Sequence, residues 1–335
     1  MDMKKFDGWI PIRVFRNGEG FRVDWCFVGS RRFTEPFFDQ TIADVMRHPF
    51  NLLFRRETSL DDLHALQPSL AVSGFIFHMS RCGSTLISQM LSRLPQCSVM
   101  SEPGCLGAVL RMRIDTDAAS PDDPRIGWFR GLVHALAQKR SGSEQQLIIK
   151  FDAPSAVYLQ LIRRAFPGVP YVFVYREPLE VLVSHQRQRS GQLLPAVMNP
   201  AWLGMDLYSA ATIPPDEYAA KALACICNAA LEHHDPRTGR LVNFKELPDA
   251  SLQWIPEHFG IRRDPDDLQA MKQACEVHAK FPDEKYVADS AEKQAAADER
   301  LRALSETLLR PLYERLGRNS AIEAIGDRAI DKGLI

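Results

Sequence analysis

The sequence predicts an α/β protein with a parallel sheet flanked by helices and a small β-containing extension at its N-terminus. Short apolar runs at residues 74–78, 147–150, 171–175 and 241–244 have the length and composition of buried strands. Segments with apolar residues at helical spacing lie between these runs, and strands that alternate with helices favour a parallel sheet.

The N-terminal extension is predicted over residues 1–70. Its two β-rich runs, 9–15 and 21–28, flank a turn that contains Gly18 and Gly20, and this pattern predicts a hairpin. The extension is either a cap or a substrate-facing subdomain, and the sequence leaves both open. The main domain is predicted over residues 71–320, and residues 321–335 are expected to form a C-terminal tail.

Helices are expected between and after the strands of the main domain. Pro95 should stop the first of them, and Pro178 should open the third, because proline suits the first helical turn. The predicted helices cover residues 86–94, 155–166, 178–189, 218–233, 264–279 and 290–316. The stretch 190–215 is rich in Gly, Pro and Met and is expected to be a long loop or lid.

Composition narrows the class of protein. The chain has 335 residues and a formal net charge of −1, so a basic face for nucleic acid is not expected. It contains no apolar run of the roughly 18–20 residues that cross a membrane, and we expect no membrane partner. Seven scattered cysteines are typical of buried free thiols in a reducing compartment, which predicts a cytoplasmic location. The oligomeric state cannot be predicted from this sequence.

A polar turn follows the first strand of the main domain. Backbone N–H groups of such a strand–turn–helix junction point at an anion, and the helix dipole strengthens the site. The side chains have matching roles: Arg81 offers a charged fork, Gly83 lets the backbone approach a ligand, and Ser84 and Thr85 offer hydroxyls. The turn is not a Walker A motif, because Ser84 stands where that motif has Lys. An ordinary turn with hydroxyl helix caps is the structural alternative.

Taken together with later segments of the chain, the turn resembles the 5′-phosphosulfate loop of sulfotransferases, whose pattern is P-K/R-S-G-T/S-T. Ser80 replaces the Pro and Cys82 the first Ser, while Arg81 stands where tyrosylprotein sulfotransferases also have Arg. A second element is a strand that ends in Arg, followed eight residues later by Ser. Arg176 and Ser184 have this spacing, and the resemblance implies that they bind the 3′-phosphate of the donor.

Two further segments match this family. Lys150 ends a strand that is followed closely by Pro154, and Asp152 stands where cytosolic sulfotransferases have their catalytic His. Glu102 lies 21 residues after Arg81, a spacing close to that of the general base in tyrosylprotein and heparan-type enzymes. Glu102 is therefore the first choice as general base and Asp152 the second. A carboxylate in a partly closed cleft is expected to have a raised pKa.

The resemblance implies a sulfotransferase of the P-loop type that moves a sulfuryl group from 3′-phosphoadenosine 5′-phosphosulfate (PAPS) to a hydroxyl acceptor and releases adenosine 3′,5′-bisphosphate (PAP). The acceptor can be a small alcohol or phenol or a peptide tyrosine. Catalysis should need no metal ion, because cationic side chains can stabilise the transferred group. The implied catalytic residues are Glu102, Arg81, Lys150 and Asp152, and the implied donor-binding residues are Arg81, Cys82, Gly83, Ser84, Thr85, Arg176 and Ser184. A P-loop small-molecule kinase and a non-catalytic nucleotide-binding protein are the alternatives.

Overall fold

A parallel five-stranded sheet forms the centre of the computed structural model, which describes residues 6–114, 120, 122–195, 198–285 and 287–331. The strands are β1 Trp9–Asn17, β2 Gly20–Phe27, β3 Arg56–Ser59, β4 Ala71–His78, β5 Cys97–Ser101, β6 Gln146–Lys150, β7 Tyr171–Tyr175, β8 Gly239–Asn243, β9 Val277–His278 and β10 Phe281–Lys285. The central sheet has the order β5-β6-β4-β7-β8, and every neighbouring pair in it is parallel. The predicted fold class is confirmed.

Helices flank this sheet. They are α1 Phe38–Val45, α2 Pro49–Leu53, α3 Ser84–Ser92, α4 Gly104–Leu110, α5 Pro124–Leu136, α6 Leu159–Ala165, α7 Pro178–Arg187, α8 Leu207–Thr212, α9 Pro215–Glu232, α10 Asp249–Gln253, α11 Ile255–His258, α12 Pro265–Ala274, α13 Ser290–Ala296, α14 Glu299–Leu304 and α15 Arg310–Asp331. A π-helical turn at Ser305–Leu309 joins the last two. None of the helices in the described part of the chain has the length and apolarity of a membrane span.

The order of the strands determines where a ligand can bind. The chain moves from β4 outward to β5, returns through β6 beside β4, and then crosses to β7 and β8 on the other side. Ligands of open α/β sheets bind at the carboxyl ends of the strands, where this reversal opens a crevice. The predicted site residues follow β4, β5, β6 and β7 at this edge, so the topology brings them together.

The N-terminal extension forms a separate antiparallel sheet of β1, β2 and β3. The predicted hairpin is confirmed, and β3 is an addition to it. This sheet packs against α4 and α5 of the main domain, and the Cys105 thiol donates to the carbonyl of Pro11. Phe37, at the N-terminus of α1, and Gln40, within it, reach the main cavity of the protein. Whether residues 1–70 act as a cap or as a substrate-facing subdomain stays a prediction.

Several predicted elements have different bounds in the structure, and three of them lie in the C-terminal part of the chain. The helix predicted over 264–279 ends at Ala274, and the hairpin of β9 and β10 follows it. The helix predicted over 290–316 is divided, because Asp298 accepts a hydrogen bond from the N–H of Leu301 and so begins a new helix. The last helix continues to Asp331, within the segment expected to be a tail; residues 332–335 of that segment lie outside the described residues.

Candidate active site

The loop of residues 80–85 connects the central strand β4 to α3. Gly83 is the N-cap of α3 and has a φ of 87°, a conformation that glycine adopts without strain. A Cβ atom at this position would lie 2.8 Å from side-chain carbons of Leu247 and Phe244. The first N–H groups of a helix have no intrahelical acceptor, so the start of α3 can receive an anion. Ser84 and Thr85 line the cavity at this point.

The side chains of Ser80 and Cys82 face the interior of the protein. The Cys82 thiol is fully buried and donates to the carbonyl of Val174 at 3.1 Å. The N–H of Ser80 donates to Nδ1 of His78, and its hydroxyl lies 3.1 Å from Nε2 of the buried His185. Burial raises the pKa of the Cys82 thiol to about 11, so the thiol is neutral near pH 7. These two departures from the family pattern therefore fall where side chains support the loop, and Cys82 can reach a ligand only through its backbone.

Arg81 extends across the cavity from the same loop. Its guanidinium donates to the carbonyl of Gln188 at 2.7 Å. Ser80 and Arg81 both have positive φ values, 84° and 51°, which are uncommon for residues with side chains. Such backbone conformations cost about 1–3 kcal/mol each and cluster at ligand sites, where the surrounding structure maintains them.

Glu102 and Lys150 form an ion pair at the ends of two neighbouring strands. Glu102 follows β5 with a φ of 60°, and its N–H donates to the carbonyl of Lys150 at 2.6 Å. The Lys150 ammonium is fully buried; it donates to the Glu102 carboxylate and lies 5.1 Å from the centre of the Phe37 ring. The other carboxylate oxygen accepts a hydrogen bond from the Gln192 amide.

The pKa of Glu102 is lowered, which is the opposite of the sequence-based expectation. Burial by itself would raise the pKa of Glu102, but the charge of Lys150 and the imidazole of His78 outweigh burial and hold it well below its ordinary value. The expectation of a raised pKa takes account of burial in a cleft but not of the Lys150 ammonium beside the Glu102 carboxylate. Glu102 is therefore ionised at neutral pH.

His78 holds one defined tautomer beside Glu102. Its Nδ1 accepts from the N–H of Ser80, so the proton must lie on Nε2, which is 3.0 Å from the carbonyl of Phe151 and 3.7 Å from a Glu102 oxygen. Burial lowers the pKa of His78, which keeps the ring neutral. No pattern in the sequence indicates that this strand residue contacts the predicted base.

Arg176 and Ser184 belong to a second group of residues that line the cavity. Arg176 follows β7; its guanidinium donates to Glu180 at 2.6 Å and to Asp289 at 2.9 Å, and it lies 4.0 Å from the centre of the Phe244 ring. Lys293 contacts the other oxygen of Asp289 at 2.6 Å. Ser184, Asp289 and Lys293 all line the cavity together with Arg176. The Asp289 carboxylate thus contacts both Arg176 and Lys293, at the place where the resemblance implies a bound phosphate.

Asp152 is placed differently from the other predicted residues. It is the N-cap of the 3₁₀ helix Ala153–Tyr158, accepts from the N–H of Ser155 at 3.1 Å, and pairs with Arg111 at 2.9 Å. It is not among the described residues that line the cavity, whereas Glu102 is. Its contacts are those of a structural cap.

Lys280 is a site residue that the sequence patterns do not reveal. It lies in the turn of the β9–β10 hairpin, lines the cavity, and has its ammonium 5.9 Å from the centre of the Phe37 ring. Burial and the charges of Arg81 and Lys150 lower the pKa of Lys280 to about 8. The helix predicted over this segment would place Lys280 just beyond its end, away from any site; Pro282 is the one local signal of a break.

Most of these groups line a single cavity of about 810 Å³; Asp152 and the fully buried Lys150 are not among its described lining residues. The lining includes the loop, Arg81, Glu102 and Lys280, together with Arg176, Ser184 and Lys293. Apolar side chains lie along its wall, among them Phe244, Leu247 and Val277. Within the described ranges, no group of three His, Cys, Asp or Glu side chains is placed to hold a metal ion.

No protein-family model matches the sequence, and none of the curated proteins does. The solved structures that match the fold include several sulfotransferases. The sulfotransferase domain from the curacin biosynthetic pathway is 15% identical with a TM-score of 0.41, over 75% of this chain and 98% of that one. A sulfotransferase from Alicyclobacillus acidocaldarius is 13% identical with a TM-score of 0.41, over 75% and 96%. A mouse sulfotransferase complexed with PAP is 12% identical with a TM-score of 0.41, over 79% and 91%. At these identities and TM-scores the likenesses assign no substrate or residue role to this chain.

Proposed function

We propose that this chain is a PAPS-dependent sulfotransferase that acts on a hydroxyl acceptor. The observation that carries the proposal is the single cavity with cationic side chains at two places, one at the loop of residues 80–85 and one at Arg176. PAPS has a matching distribution of charge, with a phosphosulfate at its 5′ end and a phosphate at its 3′ position.

The loop binds the 5′-phosphate in this proposal. Backbone N–H groups at the start of α3 and the hydroxyls of Ser84 and Thr85 donate to its oxygens. Arg176, Lys293 and the hydroxyl of Ser184 bind the 3′-phosphate, and the adenine base packs against the apolar wall. The lowered pKa of Lys280 supports an anion at the loop, because a bound negative charge would relieve the repulsion among Lys280, Arg81 and Lys150.

The reaction breaks the bond between sulfur and the bridging oxygen of the donor and forms one between sulfur and the acceptor oxygen. The acceptor proton passes to Glu102, and PAP leaves with the bridging oxygen. Arg81 at the cavity wall and the positive field of the buried Lys150 stabilise the charge on the sulfuryl and bridging oxygens, so positioning and electrostatics supply most of the rate enhancement.

Glu102 is the proposed base because it is ionised, lines the cavity and adjoins Arg81 and Lys150. Its low pKa makes it a weak base as long as the Lys150 ammonium is engaged with Glu102 alone. A bound donor brings negative charge close to Glu102, and because a nearby like charge raises the pKa of a carboxyl group, the pKa of Glu102 moves toward its ordinary value. Phe37, Gln40 and Gln192 line the cavity near this carboxylate and define where the acceptor hydroxyl approaches.

Calorimetric titration and thermal unfolding test the donor assignment. PAP should bind and stabilise the fold, by about 2.7 kcal/mol at a concentration 100 times its Kd. ATP with Mg²⁺ should stabilise it less, and adenosine 5′-phosphate, which lacks the 3′-phosphate, is the matched ligand control. Equal stabilisation by PAP and ATP–Mg²⁺, or none by either, would overturn the assignment.

A further inference from the structure

The helix α2 has an inverted arrangement of polar and apolar side chains. Its buried residue is Asn51, only 3% exposed, whereas Leu52 and Leu53 are 63% and 77% exposed and Phe50 and Phe54 are also exposed. A surface helix normally buries its apolar side chains and exposes its polar ones. Helix α2 therefore exposes its apolar side chains at the surface of the protein.

This segment is held firmly in its exposed position. The Asn51 amide donates to the carbonyls of Phe27 and Val45 at 2.8 and 3.0 Å, and its oxygen accepts from the N–H of Phe27 at 2.9 Å. The ring of Phe50 lies 5.2 Å from that of Phe27 and 4.8 Å from that of Phe54. The apolar side chains thus form one continuous surface, of a kind that marks an interaction site.

Positive charge surrounds this apolar surface. Residues 47–56 include Arg47, Arg55 and Arg56 and no acidic residue. Arg47 and Arg55 are exposed, Arg55 while it pairs with Asp24 at 2.9 Å, and the Arg56 guanidinium lies 4.5 Å from the centre of the Trp9 ring beside the aromatic cluster. Apolar side chains that project between arginines match the two layers of an anionic membrane surface, which has acyl chains beneath negative headgroups.

We propose that the surface formed by Phe27, Phe50, Leu52, Leu53 and Phe54, with its flanking arginines, docks on an anionic lipid bilayer. The apolar side chains enter the boundary between headgroups and acyl chains, and the arginines contact the headgroups. The expectation of no membrane partner rests on the lack of a spanning segment in the sequence, whereas a docking surface needs only a few exposed apolar residues. The proposal requires neither donor nor acceptor and so stands apart from the proposed function.

Co-sedimentation of the full chain with lipid vesicles tests the proposal. The protein should bind vesicles of phosphatidylcholine mixed with phosphatidylserine, bind vesicles of phosphatidylcholine alone much more weakly, and dissociate as salt is raised. Leu53→Glu should weaken binding about tenfold or more, because it removes one inserted leucine. Arg47→Gln should weaken it about fivefold at low salt, in accord with the contribution of one basic residue near a charged membrane.

Ile322→Glu is the matched control, because Ile322 is similarly exposed, at 67%, on α15. It should leave vesicle binding unchanged, and all variants should unfold at the same temperature as the unmodified chain. Absence of binding to anionic vesicles, or equal binding by Leu53→Glu, would overturn the proposal. Self-association in solution that Leu53→Glu abolishes, without any vesicle binding, would also overturn it and assign the surface to a second copy of the chain.

Discussion

Glu102→Gln separates the chemical role of Glu102 from its role in the ion pair with Lys150. The substitution keeps the shape of the side chain but removes its charge and its ability to accept the acceptor proton. Loss of a positioned general base typically lowers turnover by about 10²–10⁴-fold. The same change leaves the fully buried Lys150 ammonium without its carboxylate. Breaking a buried pair costs about 3–5 kcal/mol, so we expect a loss of about 3 kcal/mol in the free energy of unfolding.

Binding of PAP should respond in the opposite direction. Without the carboxylate, the charges of Arg81, Lys150 and Lys280 are less neutralised, so PAP should bind as tightly as before or more tightly. Urea unfolding, calorimetry with PAP and turnover of labelled PAPS at saturating acceptor measure the three quantities. A variant with weak turnover, a less stable apo form and undiminished PAP binding is the expected result.

Asp152→Asn is the matched control for this experiment. It removes a carboxylate of the same strand edge; asparagine caps a helix as well as aspartate does, so the loss of the ion pair with Arg111 should cost at most about 1 kcal/mol of stability, with turnover nearly unchanged. If Glu102→Gln retains turnover while Asp152→Asn loses it, the assignment of the base is wrong and the role belongs to Asp152.

Other predictions concern the donor site. Ser184→Ala should weaken PAP binding about fivefold, the value of one hydrogen bond, and leave adenosine 5′-phosphate binding unchanged; equal effects on both ligands in calorimetry would refute its role at the 3′-phosphate. PAP affinity should be constant between about pH 7, where both phosphates are fully charged, and pH 8, and should fall above that as Lys280, whose pKa is about 8, loses its proton. Lys280→Arg should remove that fall, since arginine keeps its charge, and an unchanged pH profile would contradict this role of Lys280. Gly83→Ala should lower the free energy of unfolding by about 2–4 kcal/mol, through an unfavourable φ and overpacking against Leu247 and Phe244, and normal stability with normal PAP binding would refute this strain.

The strands that sequence can predict are those with continuous apolar runs, such as β4 and β7. The strand β5 escapes prediction because Cys97–Ser101 contains two serines and has no continuous apolar run, yet all five residues are buried. The hydroxyl of the buried Ser98 accepts a hydrogen bond from the Arg140 guanidinium at 2.7 Å. Because Arg140 lies 42 residues from Ser98 in the sequence, no local pattern around Ser98 indicates that a buried strand forms there.

The site residues also divide into those that sequence spacing predicts and those that it does not. Its loop, Arg176 and Ser184 have fixed spacings from predicted strand ends, so parallel topology alone is enough to bring them to one edge. His78 contributes through a tertiary contact with Glu102, which sequence spacing does not indicate. Lys293 pairs with Asp289 at the local i,i+4 spacing, but only the tertiary contact of Asp289 with Arg176 brings that pair to the site.

The position of Lys280 depends on a turn that local pattern does not indicate. A helical pattern continues past Ala274 into the hairpin of β9 and β10. The turn of that hairpin forms because Nδ1 of His278 accepts from the N–H groups of Lys280 and Phe281, at 3.3 and 3.2 Å. The side chain of Lys280 therefore reaches the cavity through a conformation that a helical prediction excludes.

Turnover of ³⁵S-labelled PAPS by the full chain tests the proposed sulfuryl transfer most directly. The purified protein is incubated with a panel of alcohols, phenols and a tyrosine peptide, and labelled products are separated from the donor. We expect transfer of label to at least one hydroxyl acceptor with release of an equal amount of PAP, and loss of transfer in Glu102→Gln. Binding of PAP without transfer to any acceptor class, or equal transfer by the variant, would contradict the proposed reaction.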